Sequence, residues 1–249
     1  MEIFTSNLPT WVSTLFVLTF PISIFLIADV GFKAAQNTGM NLKKANTIRF
    51  GVIVFFFLYL LYVSVLSLNN VFTMNTLPPK IFLFTTLPLM FFLFVMVYNS
   101  NLFQSLKEHI DLPSLIRIHA FRFVGVFFLI AYYYEALPAK FALAAGIGDI
   151  LAAIGSLFVA NFVEKRAVSS YKIALIWNIF GFWDIVQVIV SALIHTKIAV
   201  ENHTEGLTEM AKFPFAWIAA FAPAVILFLH IVIFKKLKVY KMEMTMAHG

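Results

Sequence analysis

The chain is dominated by seven continuous apolar stretches, each long enough to cross a bilayer as a helix. A crossing helix needs about 20 such residues, and continuous rather than alternating runs argue against strands, whose edges would stay unpaired in lipid. The stretches are Trp11–Phe32, Ile48–Leu68, Ile81–Tyr98, Ser114–Tyr134, Phe141–Val163, Ile173–His195 and Pro214–Phe234. The sequence predicts an all-α, membrane-embedded bundle of seven transmembrane helices that forms one domain over residues 1–249.

The composition supports a lipid environment and excludes several kinds of site. Hydrophobic residues make up 61% of the chain and charged residues only 12%, which is too apolar for one water-soluble core of this size. The chain has no cysteine, so disulfides, thiolate metal sites and iron–sulfur clusters are excluded. No basic residue precedes the first apolar run, so we expect that run to be a retained span rather than a signal peptide.

The basic residues fall on alternate sides of the predicted spans. Thirteen lie in the first, third and fifth loops and the C-terminal tail, against four in the remaining loops, namely Lys80, Lys140, Lys197 and Lys212. The positive-inside rule then predicts an external N-terminus and a cytoplasmic C-terminus. Because this charge serves topology, the net charge of +6 does not indicate a nucleic-acid partner, and the predicted partner is the lipid bilayer. The segment Asn101–Arg117 is amphipathic and predicts an interfacial helix on the cytoplasmic face.

Ionisable and polar side chains at membrane depth are the candidate functional residues, because each costs at least about 2.5 kcal/mol to insert. At about 1.5 Å per helical residue, Asp149 and Asp184 lie near the midplane. The others lie closer to the cytoplasmic side: His119, Arg122, Asn178, His230 and, near the end of the first span, Asp29. This distribution predicts that the functional half of the bundle, which carries the buried polar residues, opens toward the cytoplasm.

Two interpretations of this set remain open. In the first, Arg122 pairs with Asp29, Asp184 or Asp149, and Asn178 and His230 bridge the pairs, so that the network only locks the bundle. In the second, Asp149 and Asp184 bind protons in a midplane cavity whose cytoplasmic floor is formed by Arg122, Asn178 and His230. An unpaired aspartate at that depth can exchange a proton near neutral pH, which suits the transport of a small solute or of ions.

Two further alternatives belong to other functional classes. His119 and His230 lie at matching depth, and two facing imidazoles could ligate a b-type haem or a metal ion, although the sequence itself predicts no cofactor. The fifth span carries a face of small residues, which could contact a second copy or a membrane-complex partner if the protein is an assembly subunit. No catalytic constellation is visible, the last span lacks the lysine of retinal proteins, and no proline precedes a glutamine as in PQ-loop transporters.

The second half of the chain carries specific runs: Leu137–Asp149, which ends in Gly-x-Gly-Asp, and Trp177–Asp184, which reads Trp-Asn-x-x-Gly-x-x-Asp. With Arg122, Gly125 and a last span containing Pro214, Pro223 and His230, these runs resemble a family of uncharacterised bacterial polytopic membrane proteins. The resemblance covers about the C-terminal half. It implies a multi-pass protein of the bacterial inner membrane and brings no known activity.

Overall fold

The computed structural model describes residues 4–73 and 76–248, and all regular structure within those residues is helical. We number the helices α1 Thr10–Asn37, α2 Leu42–Leu68, α3 Phe82–Val97, α4 Asn101–His109, α5 Leu112–Tyr133, α6 Ala139–Glu164, α7 Ser170–Asn202 and α8 Ala216–His248. Among the described residues, six helices are long and apolar enough to cross a membrane, or seven if α3 with the sharply bent α4 counts as one span. The prediction of an all-α membrane protein is therefore confirmed.

Local sequence signals explain where these helices break and begin. Helix α1 is interrupted at Phe20 and Pro21, where the proline lacks the N–H that a continuous helix needs. The side chain of Asn41 caps α2 by accepting a hydrogen bond from the backbone N–H of Lys44 at 2.9 Å. Asp111 caps α5 in the same way, accepting from the N–H of Ser114 at 2.8 Å.

Helix α4 is the predicted amphipathic segment, although it is shorter than expected. It makes an angle of 83° with α3, and it ends at His109 because Asp111 starts the next helix. The Asn37 side chain donates to the His109 carbonyl at 3.2 Å, and Lys236 Nζ donates to the Glu108 carbonyl at 3.0 Å. Helix α4 therefore lies across the end of the bundle where α1 ends and the basic tail of α8 begins.

Helix α8 is the most deeply buried of the long helices, and hydrogen bonds tie it to α2 and α3. Trp217 Nε1 donates to Ser64 Oγ at 2.9 Å, Tyr59 donates its hydroxyl to the Ala220 carbonyl at 3.0 Å, and Thr86 donates to the Ala219 carbonyl at 2.9 Å. On the opposite side α8 packs against α7, which packs against α6, and α6 packs against α5. The large apolar side chains on the outer helix faces remain exposed, as lipid contact requires.

The two ends of the bundle differ in charge. The weakly basic end contains the connections at residues 69–73, 76–81, 134–138 and 203–215, while the strongly basic end contains α4, the α1–α2 and α6–α7 connections and the tail of α8. At the weakly basic end Glu209 is buried, and it accepts hydrogen bonds from the hydroxyl of Ser6 and the backbone N–H of Asn7. These contacts hold Ser6 and Asn7 at that end.

Candidate functional site

The candidate site is built around Arg122, whose side chain is fully buried between α5, α6, α7 and α8. Its Nε donates to Asp149 Oδ1 at 2.7 Å, and its Nη2 donates to Asp184 Oδ2. Its Nη1 faces the Gly181 carbonyl at 3.2 Å. One guanidinium thus holds a carboxylate from each of two neighbouring helices, and the three helices α5, α6 and α7 meet at this residue.

A histidine and an amide complete the shell around Arg122. His230 Nδ1 donates to Asn178 Oδ1 at 2.7 Å, which leaves the lone pair of Nε2 facing Arg122 Nη1 at 3.5 Å. The Asn178 amide also donates to the backbone carbonyl of His230 at 3.2 Å. His230 is therefore held as a neutral imidazole, and it adds no charge to the cluster.

The local backbone of α5 explains how Arg122 and its neighbours come to face the other helices together. Residues Ile118–Gly125 form a 3₁₀ helix, which has three residues per turn. His119, Arg122 and Gly125, spaced three apart, therefore lie in one row along the helix. A 3₁₀ segment of this length inside a helix is uncommon and often marks a functional or strained position.

Three glycines give the cluster its space. A Cβ at Gly125 would overlap the side chain of Asp149, and one at Gly148 would overlap the carboxylate of Asp184. A Cβ at Gly181 would lie 2.6 Å from His230 Cε1 and 3.2 Å from Arg122 Nη1. This packing accounts for the spacing of glycine and aspartate in the Gly-x-Gly-Asp and Gly-x-x-Asp runs. Helices α6 and α7 each carry one aspartate of the cluster, and each also carries a glycine where a side chain of a neighbouring helix needs the space.

The charge of the cluster does not balance when both carboxyl groups are ionised. Arg122 contributes one positive charge, Asp149 and Asp184 contribute two negative charges, and both aspartates are nearly buried. An uncompensated charge in a low-dielectric interior is costly, and such a group is usually neutralised by a proton or a counter-ion. The arrangement can therefore take up one proton or one monovalent cation.

A cavity of about 130 Å³ reaches Asp149 from the weakly basic end. Its walls are mainly apolar and come from α3, α5, α6, α7 and α8, with Phe128, Phe141, Ile185, Ile189 and Ile218 among them. Its lining continues to the connections at the weakly basic end, which contain Phe72 and Met210. Solute that enters this cavity meets a single charged side chain, the carboxylate of Asp149.

The structure brings together five of the six site residues predicted from the sequence. Arg122, Asp149, Asp184, Asn178 and His230 form one connected network. Asp29 lies outside it and forms an ion pair with Arg49 at 2.7 Å, and both side chains are substantially exposed. Asp29 is thus paired with an arginine of the neighbouring helix α2 and not with Arg122.

The direction of opening also differs from the expectation. The cavity extends from Asp149 toward the weakly basic end rather than toward the strongly basic end, and Arg122, Asn178 and His230 are not among its lining residues. The distance from the loop charges gives the depth of a residue along its helix. Whether a solute can reach that residue depends on where the helices pack less tightly. That packing is a property of the assembled bundle.

The site does not fit a haem or a metal ion at His119 and His230. The two rings do lie side by side, but their centroids are only 4.3 Å apart, which leaves no room for a porphyrin between them. Both nitrogens of His230 are engaged, one by Asn178 and one by the Arg122 cation. Within the described residues no group of three or more His, Asp or Glu side chains is arranged to hold a metal ion.

The small face of α6, a candidate contact surface for a partner, is covered by helices of the same chain. Ala142, Ala145, Ala152, Ala153 and Ala160 are buried, and the Gly125 carbonyl lies 2.9 Å from the Cβ position of Gly146. This close approach is what small residues allow between membrane helices. The face serves packing inside the bundle.

Sequence reasoning missed Gly148 and the cavity walls. Gly148 is offset from the small face of α6 and instead makes room for Asp184 on α7. The Gly-x-Gly-Asp run that contains it was the available signal. The wall residues Phe128, Phe141 and Ile185 carry no comparable signal, because an apolar side chain that lines a cavity looks the same in sequence as one that faces lipid.

Comparison with known proteins places this cluster within a family. The model of the family described as Domain of unknown function (DUF8737) matches residues 79–238, about two thirds of the chain. The chain belongs to this family. The matched range includes all the residues around Arg122 and excludes Asp29 and Arg49. No curated protein and no solved structure matches the chain.

Proposed function

We propose that this member of the family handles protons or small cations in a membrane, as a small transport protein whose exchange site is the Asp149–Asp184 pair around Arg122. The observation that carries the proposal is the charge imbalance: one buried guanidinium faces two nearly buried carboxyl groups. Such a coupled pair is neutralised by one added positive charge, which the two carboxyl groups share. The cavity gives that charge a route from one end of the bundle.

The proposal divides the cluster into parts with different tasks. Asp149 lines the cavity and meets the incoming proton or cation, and Asp184 shares its charge through Arg122. Asn178 and His230 hold the far side of the guanidinium in place. Arg122 itself is a fixed positive charge at the closed end of the cavity, so it slows the passage of protons, and their movement is limited by exchange at the carboxyl pair.

We also propose seven crossings, with the N-terminus outside and the C-terminus in the cytoplasm of a bacterial inner membrane. Support comes from α3, whose start lies beside the cavity mouth at Pro79 while α4, which follows it, contacts Asn37 and Lys236 at the other end. The basic residues concentrate at that second end. In this orientation the cavity opens to the outside.

The transport proposal is tested with purified protein in liposomes that contain a pH-sensitive dye, with an imposed membrane potential. The wild type is expected to show proton uptake that depends on the solute gradient or potential, and Asp184→Asn is expected to abolish it while remaining folded. Asp29→Asn serves as the matched control, because it removes the same charge outside the cluster. Equal proton movement in wild type and Asp184→Asn would rule the proposal out.

A buried polar network that only stabilises the bundle, with no exchange function, predicts a different pattern. In that case neither wild type nor variant moves protons, and Asp149→Asn and Asp184→Asn only lower the melting temperature. Gel filtration and circular dichroism of each variant separate a folded, inactive protein from a misfolded one. A folded Asp149→Asn protein that has lost proton movement would support the exchange function even if Asp184→Asn failed to fold.

A further inference from the structure

We propose that the cavity above Asp149 is a binding site for a small organic ammonium ion with an apolar body. The inference rests on the proposed exchange site, and it names the class of solute that competes with the proton there. Its basis is the combination of an apolar, partly aromatic wall with one nearly buried carboxylate at the closed end. Binding sites of this kind use many apolar contacts and few polar groups, which fix the orientation of the ligand.

The size of the cavity limits the ligand. A cavity of about 130 Å³ is close to the about 150 Å³ of an apolar cavity that holds one benzene molecule. The solute would therefore have about six to eight non-hydrogen atoms. Its apolar part would contact Phe128, Phe141 and Ile189, and an ammonium near these rings gains from their negative faces.

The polar groups of the cavity favour an ammonium ion over a hydrated inorganic cation. Hard metal cations need about six or more oxygen ligands, whereas the walls offer the Asp149 carboxylate and a few threonine hydroxyls. An organic ammonium ion donates hydrogen bonds from its own N–H groups to the Asp149 carboxylate, while its apolar part contacts the cavity walls.

The charge balance couples binding to the proton. When the pair holds its proton, entry of R–NH₃⁺ places the new positive charge at Asp149 and releases one H⁺ to the solvent, so charge and atoms are conserved. Linkage requires that protons and the ammonium ion weaken each other's binding by the same factor. Binding should therefore weaken by up to tenfold for each pH unit by which the pH falls below the titration of the pair.

Equilibrium dialysis of purified protein with radiolabelled benzylammonium tests this inference directly. We expect saturable binding of one molecule per chain, at least tenfold tighter than that of benzyl alcohol, which has the same size without charge, or of benzoate, which has the opposite charge. Asp149→Asn is expected to lose at least tenfold in affinity, while the control Asp29→Asn keeps it. Ala192→Phe, which narrows the cavity, should weaken benzylammonium more than methylammonium.

Several results would overturn the inference. Equal binding of benzyl alcohol and benzylammonium to the wild type would mean that the cavity takes apolar solutes without using the carboxylate, and this comparison needs no variant. Equal binding to wild type and Asp149→Asn would have the same meaning. Titration of a carboxyl group without any benzylammonium binding would refute this inference alone, whereas ammonium binding without carboxyl titration would refute the proton exchange proposed above.

Discussion

At the scale of single residues, the cluster depends on the positive charge of Arg122. Its guanidinium satisfies two carboxyl groups, the Gly181 carbonyl and the His230 ring, so its removal leaves four buried partners without a donor. Removing one partner of a buried ion pair costs about 3–5 kcal/mol, because the remaining charge stays buried without compensation. Arg122 is therefore the residue whose loss the fold tolerates least.

We expect Arg122→Gln to lower the free energy of unfolding by about 3–5 kcal/mol, and the single changes Asp149→Asn and Asp184→Asn to cost less, because each leaves a neutral Arg–Asp pair. Equilibrium unfolding in mixed micelles measures the difference. Arg117→Gln on the same helix is the control, since its exposed pair with Glu164 should be worth at most about 1 kcal/mol. Equal costs for the two arginine variants would contradict the central role of Arg122.

Gly181 tests the packing around the cluster. Alanine is favoured over glycine in helices by about 1 kcal/mol, but here a Cβ would lie 2.6 Å from His230 Cε1. We expect Gly181→Ala to destabilise the protein by about 1–3 kcal/mol, as overpacking does. Gly51→Ala, where no atom lies within 4 Å of the new Cβ, should be neutral or stabilising. If both variants have the same melting temperature, the close packing at Gly181 is refuted.

The sequence restricted the partners of Arg122 to three aspartates, and the structure selects two of them. Asp149 and Asp184 could be expected because both lie at membrane depth, where a carboxylate without a partner is costly. The exclusion of Asp29 could not be predicted, since it depends on the pairing of α1 with α2, where Arg49 lies 20 residues further along the chain. Depth can be read from one helix, but contact between helices requires their packing.

At the scale of the elements, α5 and α3 depart from the regular α-helix that hydropathy predicts. The 3₁₀ stretch Ile118–Gly125 aligns Arg122 with the cluster, and α3 contains wide π-helical turns, Phe82–Thr86 and Phe92–Val97, on either side of Leu87–Phe91. Hydropathy predicted the apolar part of each helix, although α7 and α8 continue beyond the predicted spans, to Asn202 and His248. It could not predict these local changes of pitch, because they depend on the neighbouring helices.

Helix α4 provides a prediction at this scale. The chain has no cysteine, so single cysteines can be introduced and spin-labelled without background. A label at Leu102→Cys should collide mainly with oxygen dissolved in lipid, and one at Glu108→Cys mainly with a water-soluble nickel chelate, because both positions are exposed on an amphipathic helix at the interface. Two labels with the same preference would contradict an interfacial helix. Leu106→Cys, at a buried position, is the control and should collide with neither reagent.

At the scale of the whole molecule, the number of crossings decides where the two ends of the chain lie. Seven crossings place the N-terminus and C-terminus on opposite sides, whereas six place them on the same side. We expect an impermeant maleimide to label Asn7→Cys and Glu201→Cys from one side of sealed vesicles and Met246→Cys from the other. Labelling of Asn7→Cys and Met246→Cys from the same side would contradict the seven-crossing proposal.

The architecture of the bundle was largely predictable, and the site was predictable in part. Apolar runs fixed the helices because the bilayer imposes their length, and the cost of buried charge pointed to Arg122, Asp149 and Asp184. The cavity could not be predicted, since its walls are ordinary apolar residues contributed by five different helices. The proposed function is the hardest part to predict, because it rests on that cavity.

The most direct test of the exchange site is an infrared titration of purified protein in lipid, which follows the C=O stretch of a protonated carboxyl group as the pH is changed. We expect the Asp149–Asp184 pair to bind and release one proton per chain, and the signal to disappear in both Asp149→Asn and Asp184→Asn but to persist in Asp29→Asn. A wild-type protein in which neither carboxyl group changes its protonation over the range where the fold is stable would contradict the account.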